Sequence, residues 1–250
     1  MFLIPDKAAS SWFWRWQQRD STTGYNMKQQ LFRAGVALAA MLAVAGTAAA
    51  EGEWSGNVAL STDYVWRGVS QSNEDMAISG GFDYANGIFY AGTWASNIDF
   101  EDGSDSNVEL DLYAGVASEF SNGVSWDLGV IYYSYPDSDD EDLDFVELQA
   151  ALGYAFEGGV EVGGAVYWDP DNESVYVEGS AGYAFTDAFA ADVSVGNYSF
   201  DGGGDYTNWS LGGTYSLPIG IDVDLRYWDT DIDGTDIADE RIVLTLAKSL

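Results

Sequence analysis

Residues 124–134 read Val124-Ser125-Trp126-Asp127-Leu128-Gly129-Val130-Ile131-Tyr132-Tyr133-Ser134. Val124, Trp126, Leu128, Val130 and Tyr132 share one parity, while Ser125, Asp127 and Gly129 fall on the other. A period of two over this length is the mark of a β-strand with one apolar and one polar face. The same pattern recurs from Trp54 to the C-terminus in segments of about ten residues. One parity carries Val58, Leu60, Tyr64 and Trp66, then Val108, Leu110, Leu112 and Val116, then Val146, Leu148, Leu152, Tyr154 and Phe156. It continues through Trp209, Leu211 and Tyr215, Ile221, Val223, Leu225 and Tyr227, and Ile242, Leu244 and Leu246. Asp, Glu, Ser, Asn and a few Arg occupy the other parity. Lipid outside and water inside gives that division, so the pattern predicts a transmembrane antiparallel up-and-down β-barrel in an all-β chain.

Working outward from 124–134, the alternation predicts twelve strands. They cover 56–68, 76–85, 88–98, 107–119, 124–134, 144–156, 160–168, 174–185, 189–199, 207–216, 220–228 and 240–249. Connections alternate in length. Tight turns are expected at Ala85-Asn86-Gly87, Ser121-Asn122-Gly123, Glu157-Gly158-Gly159, Thr186-Asp187-Ala188 and Leu217-Pro218-Ile219, two of them with the Asn-Gly hairpin signal. The other connections are 69–75, which is polar, and the mostly longer, acidic 99–106, 135–143, 169–173, 200–206 and 229–239. Short turns on the periplasmic side and long loops outside are the barrel habit, and an even strand count returns both termini to the short-turn side.

Composition supports the same class. The 250 residues include 29 Gly and 38 aromatic residues (10 Trp, 16 Tyr and 12 Phe) but only 4 Pro, no Cys and no His. Proline would remove ladder donors from a wall that has no edge strand on which to hide it. Without Cys there are no disulfides, and without either residue the usual zinc ligands are missing. Zero His also removes the customary general base, which argues against an enzyme. Formal charge is −32, from 41 acidic and 9 basic residues. Residues 1–50 hold five of the basic and two of the acidic residues, so 51–250 carries four basic against 39 acidic. Phosphate recognition needs clustered Lys and Arg, so a nucleic-acid partner is excluded.

Residues 27–50, MKQQLFRAGVALAAMLAVAGTAAA, have the form of a secretory signal peptide. Lys28 and Arg33 supply the positive end, Ala34–Val44 the apolar core, and Ala48-Ala49-Ala50 the cleavage site. Residues 1–26 fit no part of such a signal and are expected to be an upstream extension, with Met27 as the true start. The barrel domain is expected over 51–250.

Two stretches carry a resemblance to a known family. The first is Ser61-Thr62-Asp63-Tyr64-Val65-Trp66-Arg67-Gly68-Val69-Ser70-Gln71-Ser72, and the second runs Gly92-Thr93-Trp94-Ala95-Ser96-Asn97. Both resemble the TorF family, a porin family long carried as one of unknown function. Its members open with S-x-D-Y-x-[FW]-R-G-x-S-Q-S and follow with G-x-W-[AG]-S-N. The match covers roughly the first quarter of the exported chain. It implies a Gram-negative outer-membrane barrel with a transport role, and it supplies no substrate. The chain departs from outer-membrane habit by ending Leu246-Ala247-Lys248-Ser249-Leu250 rather than on an aromatic residue.

The polar parity defines the expected lumen. Its acidic members are Asp63, Glu109, Asp111, Asp127, Glu147, Glu161, Glu178, Asp192, Asp222 and Asp224, and its basic members are Arg67, Arg226 and Arg241. A net negative lumen with low-dielectric walls concentrates cations. Twelve strands lie between barrels filled by side chains and barrels with open channels, so an open pore and a water-filled cavity both remain. With Arg67 on the first strand, Arg226 on the eleventh and Arg241 on the twelfth, closure would gather the three arginines on one side of the lumen, near Asp63, Asp222 and Asp224.

The loop 229–240 matches D-x-D-x-D-G-x₅-E with Asp229, Asp231, Asp233, Gly234 and Glu240, the pattern of a calcium loop. Flanking strands instead of helices, and Asp236 where an apolar residue is usual, leave a plain solvated loop as the rival. The expected product is therefore a monomeric outer-membrane barrel in contact with lipid, passing small solutes by diffusion with a preference for cations. A non-conducting structural or adhesive barrel with cation-binding acidic loops is the alternative.

Overall fold

Hydrogen bonding runs unbroken around a ring of twelve antiparallel strands in the computed structural model, which describes residues 52–100, 106–136, 138 and 143–250. The signal peptide and upstream extension expected over 1–50 lie outside the described residues. In chain order the strands are β1 (Glu53–Ser61), β2 (Val65–Trp66), β3 (Val69–Ser70), β4 (Ala77–Asn86), β5 (Phe89–Asn97), β6 (Val108–Glu119) and β7 (Val124–Ser134). They continue with β8 (Phe145–Ala155), β9 (Val160–Asp169), β10 (Ser174–Ala184), β11 (Phe189–Ser199), β12 (Asp205–Leu217), β13 (Ile221–Thr230) and β14 (Arg241–Ser249). All but β2 and β3 form the wall, each beside its neighbour in sequence. β1 closes on β14, with Asn57 opposite Ser249 and Ser61 opposite Thr245. Among the described residues the wall leaves no strand edge, which is what a lipid environment demands of a sheet.

Glycines make the tight turns. Gly87, Gly123 and Gly220 have φ of 60°, 84° and 72°, a region L-residues avoid. In the turn after β6, Gly123 N donates to Phe120 O at 2.9 Å and Phe120 N to Val124 O at 2.8 Å. Aromatic rings collect around these turns: Trp54 with Tyr84, Phe120 with Trp126, Tyr154 with Phe156, and Tyr183 with Phe185 and Phe185 with Phe189. Tyr132, Trp168, Trp209 and Tyr227 lie toward the long-loop end of their strands. Two such bands are the interfacial girdles of a membrane barrel.

Between the girdles the outer surface is apolar. Leu128, Leu152, Val195, Leu211 and Leu225 are each more than half exposed. In water each such side chain would forgo about 1.5–3 kcal/mol of burial, so the belt belongs in lipid.

The first expected strand is the one that fails. The wall strand β1 ends at Ser61, and residues 62–75 leave the wall. Tyr64 and Trp66, expected on the lipid face, are instead 6% and 1% exposed inside the barrel. The alternation there is real but belongs to a second, smaller hairpin, β2–β3, in which Trp66 faces Val69 and Val65 faces Ser70. Its two-residue turn is Arg67-Gly68, with φ of 49° and 85°. Positive φ at both central positions is the type I′ arrangement that matches strand twist.

Candidate functional site

The inward hairpin is tied at its base to the closure seam. Asp63 Oδ1 accepts from the hydroxyls of Ser70 (2.7 Å) and Ser72 (2.9 Å), and its Oδ2 accepts from Arg241 Nη1 on β14 at 3.0 Å. Arg241 also meets Glu74 at 3.2 Å. Backbone bonds from Gln71 N to Tyr64 O (2.6 Å) and from Asp99 N to Gln71 O (2.8 Å) fasten the returning arm. Asn97 then holds the re-entry into β4, accepting from Ile78 N at 2.7 Å and donating to Met76 O at 3.2 Å. Trp94 packs against Tyr64, ring centroids 5.3 Å apart. The two sequence stretches that resemble a porin family are thus the hairpin and the wall that seats it.

The tip lies inside the barrel, with its turn against β12 and β13 and the Arg67 side chain extended toward β8. Arg67 reaches Glu147 on β8 through two contacts of 2.9 Å, Nη1 to Oε1 and Nη2 to Oε2. In the ring of strands, β8 and β9 lie on the far side from β1. The guanidinium carbon sits 4.1 Å from the ring centre of Tyr176, 4.6 Å from Tyr198, 5.1 Å from Tyr167 and 4.2 Å from Trp66. Burial alone would lower the Arg67 pKa, but Glu147 together with the surrounding tyrosine hydroxyls raises it above its ordinary range. Gly68 is required beside it. A Cβ there would lie 2.5 Å from Thr230 Cγ2 and 2.8 Å from Asn208 Cβ.

Three of the tyrosines belong to a rung across the wall. Tyr167 pairs with Tyr176, Tyr176 with Tyr198, and Tyr198 with Tyr206, on β9 to β12. Centroids of successive rings are 5.8–6.0 Å apart.

The three arginines do not gather on one side. Arg241 is at the seam with Asp63, Arg67 is carried to the opposite wall, and Arg226 makes its own site. Arg226 on β13 reaches Asp192 on β11 at 2.6 Å and Asp224 at 3.3 Å. Its guanidinium lies over Gly212 of the intervening strand, where a Cβ would be 2.4 Å from Cζ. Asp63 and Asp224 do pair with arginines, whereas Asp222 accepts from Ser216 at 2.5 Å.

The remaining inward carboxylates are held largely by phenols and amides. Glu109 accepts from Tyr64 (2.8 Å) and Tyr135 (3.2 Å), Asp127 from Tyr90 (2.7 Å) and Gln149 (2.6 Å), and Glu178 from Tyr176 (3.1 Å). Asp111 and Glu161 are buried on the inner faces of β6 and β9. A further inward acid, outside the lumen set expected from the sequence, is Asp83 on β4, which accepts from Tyr113 at 2.6 Å. The inner tyrosines also lie outside that expected set, although Tyr113, Tyr133 and Tyr176 share the parity of Asp111, Asp127 and Glu178 on their own strands.

The calcium pattern does not assemble. Among the described residues no group of three or more carboxylates is placed to hold a metal ion. Asp231 Oδ1 accepts from Thr207 N at 2.7 Å and Asp229 Oδ1 from Thr230 N at 2.9 Å. Asp233 and Glu240 are exposed. A 3-10 turn at Asp236–Ala238 organises the loop instead, with Thr230 Oγ1 donating to Ala238 O at 2.8 Å. Strand β13 keeps Asp229 in the wall, apart from the exposed Asp233 and Glu240.

A closed wall, an apolar belt between aromatic girdles and a charged interior define an outer-membrane β-barrel protein. The chain belongs to the bacterial family described as "Bacterial protein of unknown function (Gcw_chp)", whose model matches residues 45–249. No match was found among curated proteins. Among solved structures, the chain is similar to the KdgM porin in complex with disordered oligogalacturonate, with 8% identity and a TM-score of 0.58. That similarity covers 78% of this chain and 99% of the porin. It is also similar to the NanC porin, with 10% identity and a TM-score of 0.54, over 78% of this chain and 98% of the other. At such identities the likeness is one of fold.

Proposed function

We propose that the protein is a monomeric outer-membrane porin that passes small solutes by diffusion, prefers cations, and is narrowed by the hairpin 62–75. The observation that carries this is the inner face. Counting the thirteen charged residues named from the sequence, it holds seven more acidic than basic groups. Three arginines engage Asp63, Glu147, Asp192 and Asp224, and the other carboxylates receive mostly neutral donors, which add no positive charge to the lumen. Such a lumen favours cations and repels anions. The fold shared with two porins and the resemblance of 61–72 and 92–97 to the TorF family support a transport role. Oligogalacturonate, seen with the KdgM porin, is a polyanion, and the acidity of this lumen makes such a solute a poor fit here.

A second reading has its own support: the hairpin is buried within the lumen, as in a closed barrel with a structural or adhesive role. Planar-bilayer recording of the refolded protein in a KCl gradient separates the two. The porin reading expects unitary currents whose reversal potential lies toward the potassium equilibrium value. Absence of channels from folded protein favours the closed barrel, and a reversal toward chloride overturns the cation preference.

A further inference from the structure

The far wall has the form of a receptor already holding a ligand. Tyr167, Tyr176 and Tyr198 come from three consecutive strands locked by ladder hydrogen bonds, and Glu147 comes from the next. The group they enclose is a guanidinium, met by a carboxylate fork at 2.9 Å on two sides and by ring faces at 4.1–5.1 Å. A bidentate carboxylate selects the planar fork, and aromatic faces favour a weakly hydrated flat cation over a compact ammonium or an alkali ion.

The occupant is less settled than the site. Arg67 has φ of 49°, which a side-chain-bearing residue seldom adopts. Its fully buried Nε has no acceptor, nor do the buried Trp66 Nε1 and Asn208 Nδ2 beside it. Unpaired buried donors work against the docked hairpin but not against the wall. When the hairpin lifts, Glu147 is left without its guanidinium partner among the tyrosines of the wall.

We propose that Glu147, Tyr167, Tyr176 and Tyr198 form a binding site for solutes bearing a guanidinium group, with Arg67 as an internal ligand that such solutes displace. This rests on the porin reading for its purpose, though not for its test. Binding exchanges one guanidinium for another, and it frees the hairpin tip from the wall. The lumen thus opens in response to the class of solute it binds.

The chain has no cysteine, so Val69→Cys, at the buried hairpin, gives a single thiol whose labelling rate reports undocking. The refolded V69C barrel in detergent is treated with a thiol reagent in L-arginine amide or in L-lysine amide, which match in charge. Labelling should accelerate about tenfold in the arginine compound relative to the lysine compound. Adding Tyr176→Ala should remove the difference. In R67A, millimolar guanidinium chloride should raise the melting temperature where sodium chloride of equal ionic strength does not, and E147Q should cancel the gain. Equal labelling in the two amides, or a guanidinium response that survives E147Q, overturns the proposal. Should V69C disturb the hairpin, the R67A melting experiment decides alone. Neither readout needs conductance, so a barrel that conducts cations yet ignores guanidinium loses only this site.

Discussion

Arg67 and Glu147 join a hairpin rooted near the closure seam to β8, on the far side of the ring of strands, by two contacts of 2.9 Å. Both side chains are essentially without solvent exposure. Removing one member of such a pair strands the other, at a typical cost of about 3–5 kcal/mol, whereas replacing both with apolar groups is often close to neutral. Glu147→Gln and Arg67→Ala should therefore each undock the hairpin and enlarge the unitary conductance. The pair Arg67→Met with Glu147→Leu should restore a conductance near that of the wild type. Bilayer recording checks this, and a double variant as open as either single one would show that packing, not the ion pair, seats the tip.

Gly68 should tolerate nothing larger. Its φ of 85° is strained for any L side chain, and a methyl group would overlap Thr230 and Asn208. Gly68→Ala should cost about 1–3 kcal/mol locally and release the tip. The wall contributes its own hydrogen bonds, so the barrel should stay folded by far-UV circular dichroism while thiol labelling of the V69C background accelerates. Unchanged labelling would mean that the tip adjusts in place.

The wall was legible because its physics is repetitive. Each strand from β4 to β14 must offer lipid one apolar face, so Val124–Ser134 and its counterparts announce themselves by parity, and glycines such as Gly87 and Gly123 mark the turns. Tyr64-Val65-Trp66 shows the same parity for a different reason, since a small hairpin inside the lumen also alternates. What distinguishes it is Arg67-Gly68, a type I′ turn written with an arginine where Asn or Asp is usual. The tyrosine rung was hidden because it depends on register. Tyr167 and Tyr176 flank one long loop and Tyr198 and Tyr206 another, and only the pairing across β10 and β11 joins the two pairs. Partners as distant as Arg67 and Glu147 leave no local trace at all.

Loop 229–240 should treat calcium as a generic divalent ion. Asp229 and Asp231 are turned to backbone amides, and Glu240 lies exposed at the start of β14. Millimolar calcium and magnesium should shift the melting temperature equally, and Asp231→Ala with Glu240→Ala should leave both shifts unchanged. A calcium-specific shift lost in that double variant would show that the loop rearranges to bind.

Arg226 is the place to test whether the lumen charge sets selectivity. It sits 11% exposed on the inner face, bridging Asp192 and Asp224, so it offsets part of the acidic field of the lumen. Arg226→Gln removes one positive charge. At roughly 8 Å in water a unit charge acts on a passing ion with about 0.5 kcal/mol, in opposite senses for potassium and chloride, so the two effects multiply in their ratio. Screening at 0.1 M salt roughly halves the energy, and the potassium-to-chloride ratio should rise about twofold. At 1 M, where the Debye length is about 3 Å, the difference should fade. Lys248→Gln makes the same change in net charge on the exposed side of β14, opposite the outward Val58, and should leave the ratio where it was. A ratio that moves equally in both variants would place the selectivity in the protein's overall charge and not in its lumen.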